Sequence, residues 1–159
     1  MSIVVLGLGN ALLSDEGVGV HVLQALESRF IFPDNVALID GGTCGMELLE
    51  QLENLDALII IDCVRHGLEP GTPVLLTGPA VPVFFKTKLS PHQIGLADVL
   101  ASLALIGRAP AATTIVGIQP ESLALGTELS PVVASRVTEL ITMTLDQLAI
   151  LDVIPEERF

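Results

Sequence analysis

The sequence predicts a single α/β domain in which helices cover both faces of a mostly parallel, twisted, five-stranded sheet. The chain has 159 residues, and half of them are apolar, which suits one domain with a substantial core. Short apolar runs alternate with segments of helical periodicity, and this alternation is typical of parallel sheets with crossover helices. No repeat, charge block or long polar linker divides the chain. Ligands of such a fold gather at the carboxyl ends of the strands.

Four apolar segments are predicted as the core strands. Residues 2–8 form a continuous apolar run that ends in a glycine-rich turn, as expected of a strand buried on both faces. Residues 36–40 and 57–61 each lead directly to an aspartate or a glycine turn. Residues 113–118 complete the parallel set.

Two further segments, 73–77 and 81–86, are predicted as short strands. Prolines 73, 79 and 82 flank or interrupt them, and proline is confined to sheet edges and strand starts because it cannot donate to the ladder. The sheet can therefore include one antiparallel edge strand.

The predicted helices lie between these strands. The first begins near residue 17, and the second is short and centred on 48–52. Ser90-Pro91 and Ser130-Pro131 each combine a capping serine with a proline suited to the first helical position. The last helix is expected to run to about residue 151, with Val133, Val137, Leu140, Ile141 and Leu148 facing inward. Residues 155–159 are predicted to form a loose tail.

Composition excludes several classes of protein. The mean hydropathy is +0.68, but aspartates interrupt every apolar stretch before membrane-spanning length. The amino terminus has no basic residue before its apolar run, so we expect a soluble, cytoplasmic protein without a secretory signal. A net charge of −12 would repel nucleic acid. Cys44 and Cys63 form no C-x-x-C pair and are expected to be reduced thiols.

Three residues are candidates for a metal site at the carboxyl edge of the sheet. Glu16 follows the loop after the first strand, Asp62 ends the third core strand, and His92 begins a helix. Two carboxylates and an imidazole suit nickel or zinc, and three protein ligands leave coordination positions open. The helix start disfavours a cation, so His92 is expected to be neutral, as ligation requires. On spacing alone, capping roles for each residue explain the pattern equally well.

The first glycine-rich loop suggests a competing site. Gly7, Gly9 and Asp40 resemble part of a dinucleotide-binding turn. However, Leu12 occupies the third glycine position, and the acidic Asp15-Glu16 pair would repel phosphates.

The sequence also contains no motif typical of nucleophilic catalysis. It has no G-x-S-x-G turn, and neither cysteine is paired with a histidine in a recognisable way.

A second glycine-rich turn, Gly41-Gly42-Thr43-Cys44-Gly45, follows the second core strand. Its backbone N–H groups and the neighbouring strand edge could receive an extended peptide. A tight turn that needs glycine only for its backbone angles is an equally good explanation.

Several motifs together closely resemble the hydrogenase maturation endopeptidases over nearly the whole chain. They are Gly7-Leu8-Gly9-Asn10, Asp15-Glu16-Gly17-Val18-Gly19, Asp40-Gly41-Gly42-Thr43, Ile61-Asp62, Ser90-Pro91-His92-Gln93-Ile94-Gly95-Leu96 and Gly117-Ile118-Gln119-Pro120. The stretch 90–107 is most similar to the branch that serves uptake hydrogenases.

The resemblance implies a peptidase domain over residues 1–154 that removes a C-terminal extension from the large-subunit precursor of a nickel-iron hydrogenase. It implies that Glu16, Asp62 and His92 contact nickel, which the substrate supplies, and that no organic cofactor is needed. It also implies that Asp40, Gly41, Gly42 and Thr43 bind the substrate. The attacking group stays open: either Glu16 or Asp62 could act as a general base, or the metal could polarise the carbonyl. An accessory nickel-binding module without peptidase activity is the alternative from another class.

Overall fold

The computed structural model describes residues 1–42, 45–87 and 90–158. Its main sheet contains β1 (Ile3–Leu8), β3 (Val36–Gly42), β4 (Ala57–Cys63), β5 (Pro73–Thr77) and β6 (Thr113–Ile118). The spatial order is β3-β1-β4-β6-β5, and only β5 runs antiparallel to its neighbour. The predicted fold class, including the antiparallel edge strand, is confirmed.

The helices divide into two layers. One face of the sheet packs against α1 (Val18–Arg29), α5 (Pro131–Ala134) and α6 (Val137–Ile150). The other face packs against α2 (Leu49–Leu52), α3 (Ala80–Phe84) and α4 (Pro91–Leu105). Alternate residues of β1 and β4 point to opposite layers, since Val5 joins the first core cluster and Leu6 the second. Both central strands are buried along their whole length.

The contact between α1 and the sheet is unusually close. Gly19 lies in the first turn of α1, and a Cβ atom there would overlap the carbonyl oxygens of Leu8 and Ile61. The missing side chain lets the helix rest directly on the carboxyl ends of β1 and β4. This contact fixes the start of α1 beside the carboxyl ends of β1 and β4, where ligand sites of this fold are expected.

The prediction of a strand over residues 81–86 is wrong, because α3 occupies residues 80–84. Pro82 lies in the first turn of this helix, where its missing N–H would have no helical partner. Val81 and Phe84 are buried, and their three-residue spacing places both on the same helix face. Proline at these positions is thus compatible with a helix start as well as with a sheet edge.

The end of the chain also differs from expectation. The last helix is divided, because Ser135 and Arg136 form a turn between α5 and α6. Residues 155–158 do not form a loose tail: β7 (Glu156–Glu157) pairs antiparallel with β2 (Phe30–Ile31). The Arg158 side chain adds hydrogen bonds from Nε to the carbonyls of Glu27 and Phe30, both at 3.2 Å.

No helix in the described part of the chain has the length and apolar character needed to span a membrane.

Candidate functional site

The structure brings Glu16, Asp62 and His92 together at the carboxyl edge of the sheet. Glu16 lies in a 3₁₀ turn (Ser14–Gly17) that follows β1, and Asp62 is the penultimate residue of β4. His92 is the second residue of α4. Because β1 and β4 are adjacent and parallel, their carboxyl ends meet, and the start of α4 closes the space between them.

The three side chains form a row with the imidazole in the middle. His92 Nδ1 lies 3.0 Å from Glu16 Oε1, and His92 Nε2 lies 2.8 Å from Asp62 Oδ2. Relative exposures are 8% for Glu16, 2% for Asp62 and 3% for His92. The Ser90 hydroxyl also lies 3.0 Å from His92 Nδ1. Glu16 is therefore the end of the row that is nearest to solvent.

The row has a direct consequence for metal binding. Each carboxylate contacts a different nitrogen of the ring, so the three residues do not yet converge on one point. Within residues 1–42, 45–87 and 90–158, no three His, Cys, Asp or Glu side chains already form a group that would hold a metal ion. The donor types suit nickel, but common ligation requires the imidazole to give up one of its carboxylate contacts.

The pKa of His92 is raised, which is opposite to the direction that the helix start alone would favour. Burial favours the neutral ring, but the hydrogen bond and negative charge of Asp62, helped by Glu16, outweigh burial and raise the pKa of His92. Two carboxylates within hydrogen-bond distance prevail over the dipole of one helix terminus. Because metal ligation requires a neutral ring, this environment makes His92 harder to ligate than a free imidazole.

Gly9 holds the Glu16 loop against Asp62. Its φ of +116° suits glycine, and a Cβ atom would overlap the Glu16 carbonyl and lie 3.3 Å from Asp62 Oδ1. The Gly9 N–H donates to the Gly42 carbonyl at 2.9 Å, so it is not directed at a phosphate. Asp40 likewise accepts from the Gly42 N–H at 2.9 Å. These contacts give the glycine-rich loop a structural role in place of the dinucleotide site.

Asp15 is a structural anchor that the sequence alone did not identify. It is fully buried and accepts hydrogen bonds from the N–H groups of Glu121, Ser122 and Ser130 and from the Ser130 hydroxyl, at 2.7–3.0 Å. Burial opposes the charged form, but these donors together lower the pKa of Asp15. The partners lie more than 100 positions away, so no local spacing could have revealed them. Asp15 fixes the loop that carries its neighbour Glu16.

The carboxyl end of β3 lies beside the row. β3 is an edge strand of the main sheet, and Asp40 is exposed while Gly41 is buried. Gly42 contacts Gly9, which in turn packs on Glu16. Thr43, the last position of the predicted substrate loop, lies outside the described residues, as does Cys44.

Cys63 follows Asp62 but provides no reactive thiol. It is buried, and burial together with the charges of Asp62 and Glu16 raises the pKa of its thiol far above the usual range. Cys63 is a free cysteine, in agreement with the prediction of a reduced thiol at this position.

Comparison with known proteins identifies the family. The hydrogenase maturation protease family model, HycI, matches residues 20–147. The hydrogenase 2 maturation protease of Escherichia coli K12 is 49% identical over 138 residues, which cover 86% of this chain and 84% of that protein. The hydrogenase expression/formation protein HupD of Thiocapsa roseopersicina is 39% identical over 158 residues, covering 98% and 72%.

Solved structures of similar proteins indicate the same family. The hydrogenase maturating endopeptidase HybD from E. coli superimposes with a TM-score of 0.96 at 45% identity, covering 99% of this chain and 98% of that one. A hydrogenase maturation protease HybD from Thermococcus kodakarensis has a TM-score of 0.76 at 26% identity, covering 94% and 99%. The resemblance inferred from the motifs is confirmed. The chain therefore belongs to the hydrogenase maturation protease family and is an endopeptidase of hydrogenase maturation.

Proposed function

We propose that this endopeptidase removes a C-terminal extension from the large-subunit precursor of a nickel-iron hydrogenase of the uptake type, and that it does so only when nickel is in place. The observation that carries the proposal is the row of Glu16, His92 and Asp62, which is buried at the sheet edge with Glu16 as its least buried member. We further propose that the reaction takes place in the cytoplasm and that the chain needs no organic cofactor.

In this proposal nickel is part of the substrate. The imidazole and the carboxylates are suitable nickel ligands, and without nickel His92 contacts both carboxylates, at 3.0 Å and 2.8 Å. When a nickel-bearing precursor docks, Glu16, Asp62 and His92 would be the residues that hold its ion, and His92 would give up one of its carboxylate contacts. The site then adds affinity only when the substrate carries its metal. This added affinity holds the scissile bond in position for cleavage.

The edge strand β3 supplies a path for the peptide. Its outer side has no strand neighbour in the main sheet, so an extended segment of the precursor can pair with it by backbone hydrogen bonds. Asp40, Gly41 and Gly42 form the end of this strand, where the Gly42 carbonyl accepts from the Gly9 N–H beside the row. These three residues and Thr43 are the proposed contacts of the substrate. A peptide that follows β3 is thereby delivered to Glu16 and His92, where either Glu16 or Asp62 serves as general base.

The first test is whether the purified chain shortens the nickel-loaded precursor. We expect mass spectrometry of the reaction to show one shortened large subunit and one released C-terminal peptide, with a single cut position. The accessory-module alternative predicts that the chain binds nickel while the precursor keeps its full mass. An unchanged precursor mass would therefore overturn the proposed activity.

A further inference from the structure

The side chain of Gln93, the residue after His92, makes three hydrogen bonds at the edge of the row. Its side chain is 7% exposed. The amide Nε2 donates to Asp62 Oδ2 and to the Cys63 carbonyl, each at 3.0 Å, and Oε1 accepts from the Ser90 N–H at 3.1 Å. Both N–H groups and the oxygen of one buried amide are thus engaged, which fixes its orientation.

These contacts connect two elements of the site. The bond to Ser90 belongs to the capping box of α4, which could be recognised from the Ser-x-x-Gln spacing. The other two bonds reach the end of β4. Gln93 therefore couples the helix that carries His92 to the strand that carries Asp62.

The two carboxylates of the row are held very differently. Asp62 has three partners: Oδ1 accepts from the Cys63 N–H at 2.8 Å, and Oδ2 contacts both Gln93 Nε2 and His92 Nε2. Among the described residues, the Glu16 carboxylate contacts only His92. A carboxylate with three donors has little freedom to turn, whereas one with a single partner can move.

We infer that Gln93 is a positioning residue that fixes Asp62 against His92 and leaves Glu16 as the member of the row that moves when the substrate docks. This inference rests on the proposed function. Outer partners that orient the groups of a metal-contacting site commonly matter by about 10- to 100-fold, and a displacement of about 1 Å can cost about 100-fold in rate.

Two substitutions separate positioning from helix capping. Gln93→Glu keeps an acceptor for the Ser90 N–H but loses the donor to Asp62, and Gln93→Met loses both functions without adding a charge. The matched control is Gln119→Met, because Gln119 Oε1 accepts from the N–H groups of His66 and Leu68 outside the row.

With the nickel-loaded precursor, we expect kcat to fall by about 10- to 100-fold for both Gln93 variants, with KM changed less than about threefold. In the isolated, metal-free chain, the ¹⁵N chemical shifts of the His92 ring should move in both variants and stay in place in Gln119→Met. Gln119→Met should also keep its kcat.

The His92 chemical shifts and kcat test the positioning role independently. Unshifted His92 resonances in a folded Gln93→Met chain would overturn the positioning role even if no precursor were cleaved. A wild-type kcat for Gln93→Glu, or an equal loss of kcat in Gln119→Met, would show that the amide acts only through helix capping or general stability. Failure of the proposed function itself would appear as an uncut precursor with the wild-type chain.

Discussion

Replacing His92 by alanine is expected to lower processing of the nickel-loaded precursor by at least about 10³-fold, which is the scale of losing a positioned acid–base or electrostatic group. His92 is the only member of the row that contacts both others. Without the ring, Glu16 and Asp62 lose their shared partner, and the proposed nickel site loses its one nitrogen donor. Initial rates of precursor shortening at substrate excess provide the measurement.

The matched control is His21→Ala. His21 is a half-buried residue of α1 whose side chain takes no part in the row, so this variant should process the precursor at the wild-type rate. Circular dichroism and thermal unfolding of both variants separate loss of the site from loss of the fold. Wild-type processing by a folded His92→Ala chain would refute the assignment of the site.

The second large effect concerns folding. Gly19→Ala is expected to destabilise the protein by more than about 3 kcal/mol or to prevent folding, although alanine favours an isolated helix over glycine by about 1 kcal/mol. The added methyl group would overlap the backbone of β1 and β4 rather than a movable side chain. The helix must then move away from the strands whose ends carry the site.

Equilibrium unfolding in urea measures this change, with Gln24→Ala as control. Gln24 lies on the exposed face of the same helix. Glutamine and alanine are both good helix formers, so the free energy of unfolding of the control should stay within about 0.5 kcal/mol of wild type. If Gly19→Ala were as stable as Gln24→Ala, the close packing of α1 on the sheet would be contradicted.

Sequence patterns predicted the core strands well because burial on both faces leaves a local signature. The predicted strand 113–118 has the same limits as β6, and the apolar run 57–61 corresponds to most of β4. The row could be anticipated because its three members lie at element ends, and parallel topology places such ends together. What the pattern could not provide was the order within the row, with the imidazole between the carboxylates.

Two of the features that the sequence did not predict depend on long-range contacts. Asp15 finds its partners through tertiary folding, and the pairing of β2 with β7 joins two-residue strands that have no periodicity to detect. The segment 81–86 was mistaken for a strand because prolines 79 and 82 are equally compatible with an edge strand and with a first helical turn. The direction of the pKa shift of His92 is not evident from the sequence, because the helix terminus is visible there and the two carboxylates beside the ring are not.

The central claim is that the row recognises nickel carried by the precursor. It is tested most directly by the initial cleavage rates of one precursor preparation divided into nickel-loaded and nickel-free halves, with the chain freed of metal beforehand. If the ion adds about 3 kcal/mol of transition-state binding, the loaded precursor should be cut about 100-fold faster. Equal cleavage of the two halves would contradict the account.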